Sequence, residues 1–154
     1  MNTPDFNAAV AFVAANARVL DRRRFQRLFE DGPVAPVRDA VAAYRNDDGG
    51  FGRAREIFGR VGPLIIERNL VALDPEAPGE VHGVLDFAPE PDSLARSLFD
   101  DVTVKAHLDH LAQAQLEDGG WTFNWPSWSP AAERDWRGFL TVDALRVLRT
   151  NGRL

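Results

Sequence analysis

The residues best suited to chemistry in this chain are aromatic, and they lie close together. All four tryptophans fall within one stretch of sixteen residues, as Trp121, Trp125, Trp128 and Trp136, and Phe123 lies among them. Ring faces attract cations and offer a large, dry contact area. We therefore expect Trp121, Phe123, Trp125 and Trp128 to contact an apolar or cationic ligand. The alternative is that these rings pack a loop against helix ends or fill a subunit interface.

A second candidate group lies in residues 74–91, a segment that holds four prolines and two glycines. This composition disfavours both helix and sheet, and it predicts a long loop. Long ordered loops in compact domains are often functional. We expect His82 and Asp86 to contact the ligand from this loop, where they could act as general acids if the loop closes over a pocket.

Metal sites and the common catalytic groups are not expected. His107 and His110 lie three residues apart without a His-Glu-x-x-His pattern, and they flank Leu108 and Leu111 as residues on a polar helix face would. The absence of cysteine excludes disulfides, thiolate catalysis and cysteine-based zinc sites. Serine nucleophile elbows, phosphate-binding loops and dinucleotide-binding glycine patterns are also missing from the sequence. We predict no metal and no cofactor.

Composition and charge limit the class of protein. With 45% hydrophobic and 27% charged residues, the 154-residue chain predicts a single globular domain over residues 1–154. A net charge of -5 disfavours a nucleic-acid partner, which requires a basic surface. No apolar run approaches the length of a membrane span, and the N-terminus lacks the pattern of a signal peptide. We therefore expect a soluble, cytoplasmic protein.

Two short stretches of the sequence resemble each other. Residues 115–121 read Gln-Leu-Glu-Asp-Gly-Gly-Trp and residues 44–51 read Tyr-Arg-Asn-Asp-Asp-Gly-Gly-Phe, each after an apolar helical pattern. The paired glycines can adopt positive φ and let the chain reverse tightly. The carboxylates of Asp47, Asp48 and Asp118 can accept hydrogen bonds from amides of the turn. We favour this structural role for them over a catalytic one.

The remaining sequence predicts an all-α domain. Apolar residues spaced three and four apart indicate helices in most segments, and no segment shows sustained strand alternation. Thr3 and Pro4 are suited to begin the first helix and Asp21 to cap a second. The last helix can begin at Ser129-Pro130 or, alternatively, near Thr141. We predict about six or seven helices.

With its helix and its aromatic-rich connection, the Gln-x-x-Asp-Gly-Gly-Trp turn resembles the repeat of the α/α-toroid proteins, which include squalene and terpenoid cyclases and the β-subunits of protein prenyltransferases. Residues 115–121 are the better match, since residues 44–51 have Tyr44 in place of the glutamine and Phe51 in place of the tryptophan. The resemblance implies helical hairpins that form part of a toroid. It does not carry over catalysis, because the Asp-x-Asp-Asp acid, the Asp-Asp-x-x-Asp motif and the Asp-Cys-His zinc site of these families are missing.

The length of the chain suggests an oligomer. A closed toroid of this family uses about twelve helices, and this chain offers about half of them. The open apolar faces of a partial toroid would be covered by a second copy, so we predict a homodimer or a higher homo-oligomer.

The leading hypothesis is a terpenoid-cyclase-like repeat protein that binds an apolar or isoprenoid-like molecule in an aromatic-lined cavity. The alternative is a non-catalytic assembly or scaffold protein whose aromatic segment is a subunit interface. A third option is an enzyme of unknown class that uses Asp47 or Asp48.

Overall fold

The computed structural model describes residues 3–43, 71–78 and 81–154. The first copy of the predicted repeat, residues 44–51, lies outside the described residues, and so do Asp47 and Asp48. The described part of the chain is all-α, as predicted, with six α-helices, one 3-10 helix and one pair of two-residue strands. The elements are α1 Phe6–Asn16, α2 Val19–Phe29, α3 Ala35–Ala42, β1 Val71–Ala72, β2 His82–Gly83, α4 Val84–Phe87, the 3-10 helix Leu94–Leu98, α5 Asp101–Gln113 and α6 Pro130–Thr150. None of the described helices has both the length and the apolar composition needed to cross a membrane.

Helix α1 begins two residues later than the sequence suggests. The side chain of Asp5 accepts a hydrogen bond from the amide of Ala8 at 3.0 Å, which makes Asp5 the N-cap and Phe6 the first helical residue. The predicted cap at Thr3, with Pro4 as the first helical residue, is therefore wrong. A short carboxylate satisfies an otherwise unpaired amide of the first turn, and this fixes where the helix begins.

The sequence predicts that Asp21 caps α2, but this prediction is wrong. Asp21 lies buried inside the first turn of that helix. Helix α2 begins at Val19, and the carboxylate of Asp21 is 0% exposed. It accepts hydrogen bonds from Arg18 at 2.8 Å and from Arg24 at 3.2 Å. A buried charge needs partners of this kind, so the two arginines make the burial of Asp21 tolerable.

The long helix α6 forms the centre of the fold. Of the two starts that the sequence allows, the structure shows the first: Ser129 caps the helix and Pro130 opens it, and the helix continues through Thr141. Helices α1, α2 and α5 all pack against α6. Gly138 permits a close approach to α1, because a Cβ at this position would lie 2.7 Å from the Cα of Ala17. The main core cluster consists of Ala9, Val13, Ala17, Phe25, Ala112, Trp121, Val142, Ala144, Leu145 and Leu148. A smaller cluster on the side of α4 and α5 consists of Val84, Val104, Leu108 and Val147.

The proline-rich segment 74–91 is not a loop throughout, in contrast to the prediction. Within it β2 pairs in parallel with β1, and α4 follows directly after β2. The one-turn helix α4 is stabilised at its start by Asp86, whose carboxylate accepts a hydrogen bond from the amide of Gly83 at 2.7 Å. This local cap outweighs the surrounding prolines.

Candidate functional site

The turn at residues 115–121 packs directly against α1. Gly119 has a φ of +85°, and a Cβ at this position would overlap the backbone of Ala8. A Cβ on Gly120 would lie 2.7 Å from the ring of Phe12. The paired glycines are thus needed for two reasons: Gly119 takes the predicted positive φ, and both glycines allow a close approach of the turn to α1.

Gln115 connects this turn to the beginning of α1. Its Nε2 donates hydrogen bonds to the carbonyl of Asp5 at 2.8 Å and to the carbonyl of Gly119 at 3.0 Å. Its Oε1 accepts a hydrogen bond from the amide of Asp5 at 2.6 Å. The side-chain amide therefore pairs with both backbone groups of the residue that caps α1, and the glutamine has a structural role in the motif.

Asp118 has the structural role that the sequence predicts. Its Oδ1 accepts a hydrogen bond from the amide of Gly120 at 3.1 Å, and both of its carboxylate oxygens accept from Arg137 at 2.8 Å. Partial burial acts to raise the pKa of Asp118, but the hydrogen bonds from Arg137 and Gly120 and the charge of Arg137 outweigh it and hold the pKa below its ordinary value. The guanidinium of Arg137 also lies 4.6 Å from the ring centroid of Phe12. The carboxylate therefore joins the turn to α6.

Trp121 completes the turn as a core residue. It is 3% exposed, its amide donates to Thr141 Oγ1 at 3.0 Å, and its indole Nε1 donates to the carbonyl of Leu111 at 2.8 Å. Every side chain of the Gln-x-x-Asp-Gly-Gly-Trp pattern is therefore used to hold α1, α5 and α6 together. The turn positions the segment that follows it, which carries the half-buried rings of Phe123 and Trp125 and the exposed ring of Trp128.

A row of four aromatic rings runs from this segment onto α6. The rings of Phe123 and Trp125 are stacked with centroids 4.6 Å apart. Trp125 meets Trp136 at 5.6 Å, and Trp136 meets Phe139 at 6.0 Å, both in perpendicular arrangements. The guanidinium of Arg24 lies 4.8 Å from the centroid of Phe139 and ends the row. Offset and perpendicular ring pairs are the favoured geometries, and each contributes about 1 kcal/mol beyond its buried area.

Beside this row lies a hollow with a volume of about 400 Å³, which we call the aromatic groove. Three of its side chains are aromatic and two are charged. The lining residues are Arg18, Trp128, Ala132, Asp135, Trp136 and Phe139. Trp128 is 79% exposed and Trp136 is 38% exposed, so both indoles are accessible to a ligand. The arrangement offers ring faces, one carboxylate and one guanidinium to a molecule in the groove.

Several residues of the aromatic groove do not belong to the set of ligand contacts predicted from the sequence. Ala132, Asp135, Trp136 and Phe139 follow the spacing of one face of α6, three and four residues apart, and this spacing is the signal that could have identified them. Arg18, by contrast, precedes α2 and reaches the groove only through the packing of the helices. No local pattern in the sequence identifies it.

A second, smaller hollow of about 160 Å³ lies between α4, α5 and α6. Its lining residues are Leu85, Asp86, Leu111, Trp121, Thr122, Leu140, Asp143, Ala144 and Val147. The six predicted contact residues are thus distributed over separate places. Trp128 lines the aromatic groove, Phe123 and Trp125 belong to the row of rings, and Trp121 and Asp86 line the smaller hollow.

His82 is placed beside Asp86, as the sequence suggests, and both side chains are exposed. The distance from His82 Nδ1 to Asp86 Oδ2 is 3.7 Å, which is too long for a hydrogen bond. The ring of His82 also meets the ring of Phe87 nearly edge-on at 5.9 Å. Because Asp86 already caps α4 through Gly83, its main observed role is to hold that short helix.

His107 does not lie on a polar face, so this prediction is wrong. It is 6% exposed, and its Nε2 lies 3.0 Å from the carbonyl oxygen of Leu73, to which the protonated nitrogen donates. Gly83 lies against the same ring, since a Cβ there would be 3.2 Å from Nδ1. The segment around β1 and β2 therefore covers a side of α5 that the sequence pattern leaves to solvent. His110 is exposed.

Among the described residues, no three histidine, aspartate or glutamate side chains are grouped closely enough to hold a metal ion. Searches against protein-family models, curated proteins and solved structures found no match to this chain. The geometry of the aromatic groove is therefore the feature of this chain that indicates a function.

Proposed function

We propose that this chain is a small, terpenoid-cyclase-like helical repeat protein that binds an apolar, isoprenoid-like molecule in the aromatic groove. The observation that carries the proposal is the groove of about 400 Å³ with Trp128, Trp136 and Phe139 in its walls. This volume is within the range of small-molecule sites, which are mostly apolar hollows with a few polar groups. The charged side chains of Arg18 and Asp135 would orient the polar end of the ligand.

The exposed indole of Trp128 would contribute much of the affinity. A ligand that covers about 100 Å² of its surface gains about 2.5 kcal/mol from apolar burial. This gain corresponds to a change of roughly 60-fold in the dissociation constant. Truncation of Trp128 should therefore weaken binding strongly, even though the side chain does not contribute to the core.

The proposed relation to the α/α-toroid proteins is supported by the contacts that the Gln-x-x-Asp-Gly-Gly-Trp turn makes with three helices. Gln115 pairs with the beginning of α1, Asp118 with Arg137 on α6, and Trp121 with α5. A turn that links neighbouring helices in this way is suited to repetition along a partial toroid. Because the carboxylate of Asp118 is occupied by these contacts, the proposal is one of binding, and it assigns no catalytic residue.

The proposal can be tested by a thermal-shift screen with prenyl alcohols and prenyl diphosphates. Wild type and Val102→Ala, a control on α5 with the same exposed fraction of 79%, should both be stabilised by a ligand. Trp128→Ala should lose that stabilisation. Equal stabilisation of all three proteins would show that the aromatic groove is not the binding site.

The second candidate function is self-association, in which the chain is an assembly or scaffold protein. It is favoured by the exposure of Trp128, since an indole that is 79% exposed is well suited to insert into a partner molecule. In this case a homodimer or a higher homo-oligomer would bury the aromatic groove. Light scattering after size exclusion would show an oligomer for wild type and a monomer for Trp128→Ala. A wild-type protein that is monomeric at micromolar concentration would exclude this function.

A further inference from the structure

The ligand of the aromatic groove can be specified further, on the basis of the proposed function. We infer that it carries an alkylated ammonium group, which contacts the rings of Trp128 and Trp136 and the carboxylate of Asp135. Three features of the groove support it: the ring faces, the balance of charge and the presence of only one carboxylate, Asp135, among the lining side chains.

The rings of this protein already accept cations. The guanidinium of Arg24 lies over the ring of Phe139, and that of Arg149 lies over Phe29 at 5.2 Å. Indole provides the strongest attraction for a cation among the aromatic side chains. Trp128 and Trp136 are therefore better cation acceptors than the phenylalanines that hold these arginines, and both are accessible to a ligand.

The balance of charge in the groove also favours a cation. Two arginines lie at this side of the groove, Arg18 in its wall and Arg24 over the ring of Phe139. Both pair with the buried carboxylate of Asp21, at 2.8 Å and 3.2 Å, and Arg24 also lies 3.8 Å from Asp143, so two carboxylates offset the two positive charges. Within the described part of the chain, Asp135 has no ion pair and no hydrogen bond from a side chain. Its carboxylate, which lines the groove, can therefore pair with a ligand. The net charge of -5 adds a weaker, long-range attraction for cations.

The walls distinguish an alkylated ammonium from a primary one. A primary ammonium has three N–H donors, and binding in a ring-lined groove would leave some of them without acceptors. An alkylated ammonium has few donors or none, and its methyl groups present apolar surface to Trp128, Ala132 and Trp136. Quaternary ammonium groups are recognised in this way by aromatic side chains in general.

The experiment compares choline with 3,3-dimethylbutan-1-ol, which has the same shape but carbon in place of the charged nitrogen. Binding is measured by isothermal titration calorimetry on the full chain. Choline should bind wild type about 10-fold more tightly than the alcohol. In Asp135→Asn this preference should fall to about 3-fold, whereas Glu133→Gln should keep it. Glu133 is an exposed acid of α6 that does not line the groove, so this control has the same change in charge.

Each outcome is decisive. Equal binding of choline and the alcohol would overturn the inference and leave the proposed function intact. If prenyl alcohols bind and choline does not, the inference is likewise overturned and the proposed function stands. If Asp135→Asn and Glu133→Gln lose the preference for choline over the alcohol equally, the preference depends on net charge, and the inference is overturned. If no compound binds, including the prenyl alcohols and diphosphates, the proposed function itself fails.

Discussion

Replacement of Gly119 by alanine should destabilise the protein strongly. The effect should be larger than at Gly152, the other described glycine with a positive φ. At a φ of +85° an L residue is strained by about 1 kcal/mol or more. The new Cβ would also overlap the backbone of Ala8, which cannot move aside as the end of a flexible side chain can. Displacement of the turn would further weaken the hydrogen bonds between Gln115 and Asp5. We expect a total loss of about 3 kcal/mol.

Gly152→Ala is the matched control. Gly152 also has a positive φ, +67°, but a Cβ there would meet no atom within 4 Å. Its replacement should cost only the conformational strain, about 1 kcal/mol. Urea unfolding followed by helical circular dichroism would measure both variants, and the difference of about 2 kcal/mol isolates the packing of the turn against α1. In a thermal scan, the midpoint should fall by about 3 °C for Gly152→Ala and about 9 °C for Gly119→Ala. Equal losses for the two variants would refute the contact between this turn and α1.

Three further perturbations test other parts of the structure. Asp21→Asn should cost about 3 kcal/mol in urea unfolding, because it disrupts a buried carboxylate with two arginine partners. Asp31→Asn, at a surface pair in which the aspartate is fully exposed, should cost less than about 0.5 kcal/mol. Similar losses would contradict the burial of Asp21. Because the pKa of Asp118 is lowered in the folded state, the folded protein binds fewer protons at this group than the unfolded chain does. The ionised Asp118 therefore stabilises the fold above the ordinary pKa of 3.8, and this stabilisation is lost as the pH falls through the pKa of the folded state. The thermal midpoint of wild type should therefore fall more steeply below about pH 4 than that of Asp118→Asn, and parallel curves would exclude this contribution. Gly120→Ala should cost about 2 kcal/mol, because its Cβ would overpack against the ring of Phe12. In a double-mutant cycle, Phe12→Leu should recover part of that loss. Strictly additive losses would show that the two residues are not in contact.

The features that the sequence predicts correctly are local ones. The opening of α6 depends on Ser129, Pro130 and the amide of Ala132, all within four residues. The bond between Asp118 and the amide of Gly120 likewise spans two residues. Caps and turns depend on nearby side chains and on the φ that each residue tolerates, so the sequence can place some of them. The start of α1 shows the limit, because Asp5 competes with Thr3 as the cap and only the structure shows which one is used.

The features that the sequence does not predict depend on contacts between distant segments. Aspartate is a residue type that often caps helices, but Asp21 is buried in the folded protein, and Arg18 and Arg24 provide its partners. His107 fits a polar helix face, yet the segment around Leu73 covers it from 34 residues away. Burial of this kind has no signal in local periodicity.

In the candidate site, too, the sequence predicts the local feature, and contacts between distant segments determine the rest. The four aromatic contacts among the predicted ones lie in one stretch of sequence, residues 121–128, but this stretch begins in the core and ends in solvent. Its rings therefore reach different places. The aromatic groove combines only the last of them, Trp128, with one face of α6 and with Arg18. Composition indicates that aromatic rings are concentrated here, and the three-dimensional packing determines which of them are accessible.

The most direct test of ligand binding in the aromatic groove is a titration followed by the indole N–H signals in an NMR spectrum. The chain has four tryptophans, and each gives one indole N–H signal. With a prenyl alcohol or choline, the signals of Trp128 and Trp136 should shift, while that of Trp121, buried and bonded to the carbonyl of Leu111, should stay unchanged. If the signals of Trp128 and Trp136 do not move while that of Trp121 does, the ligand does not bind in the aromatic groove.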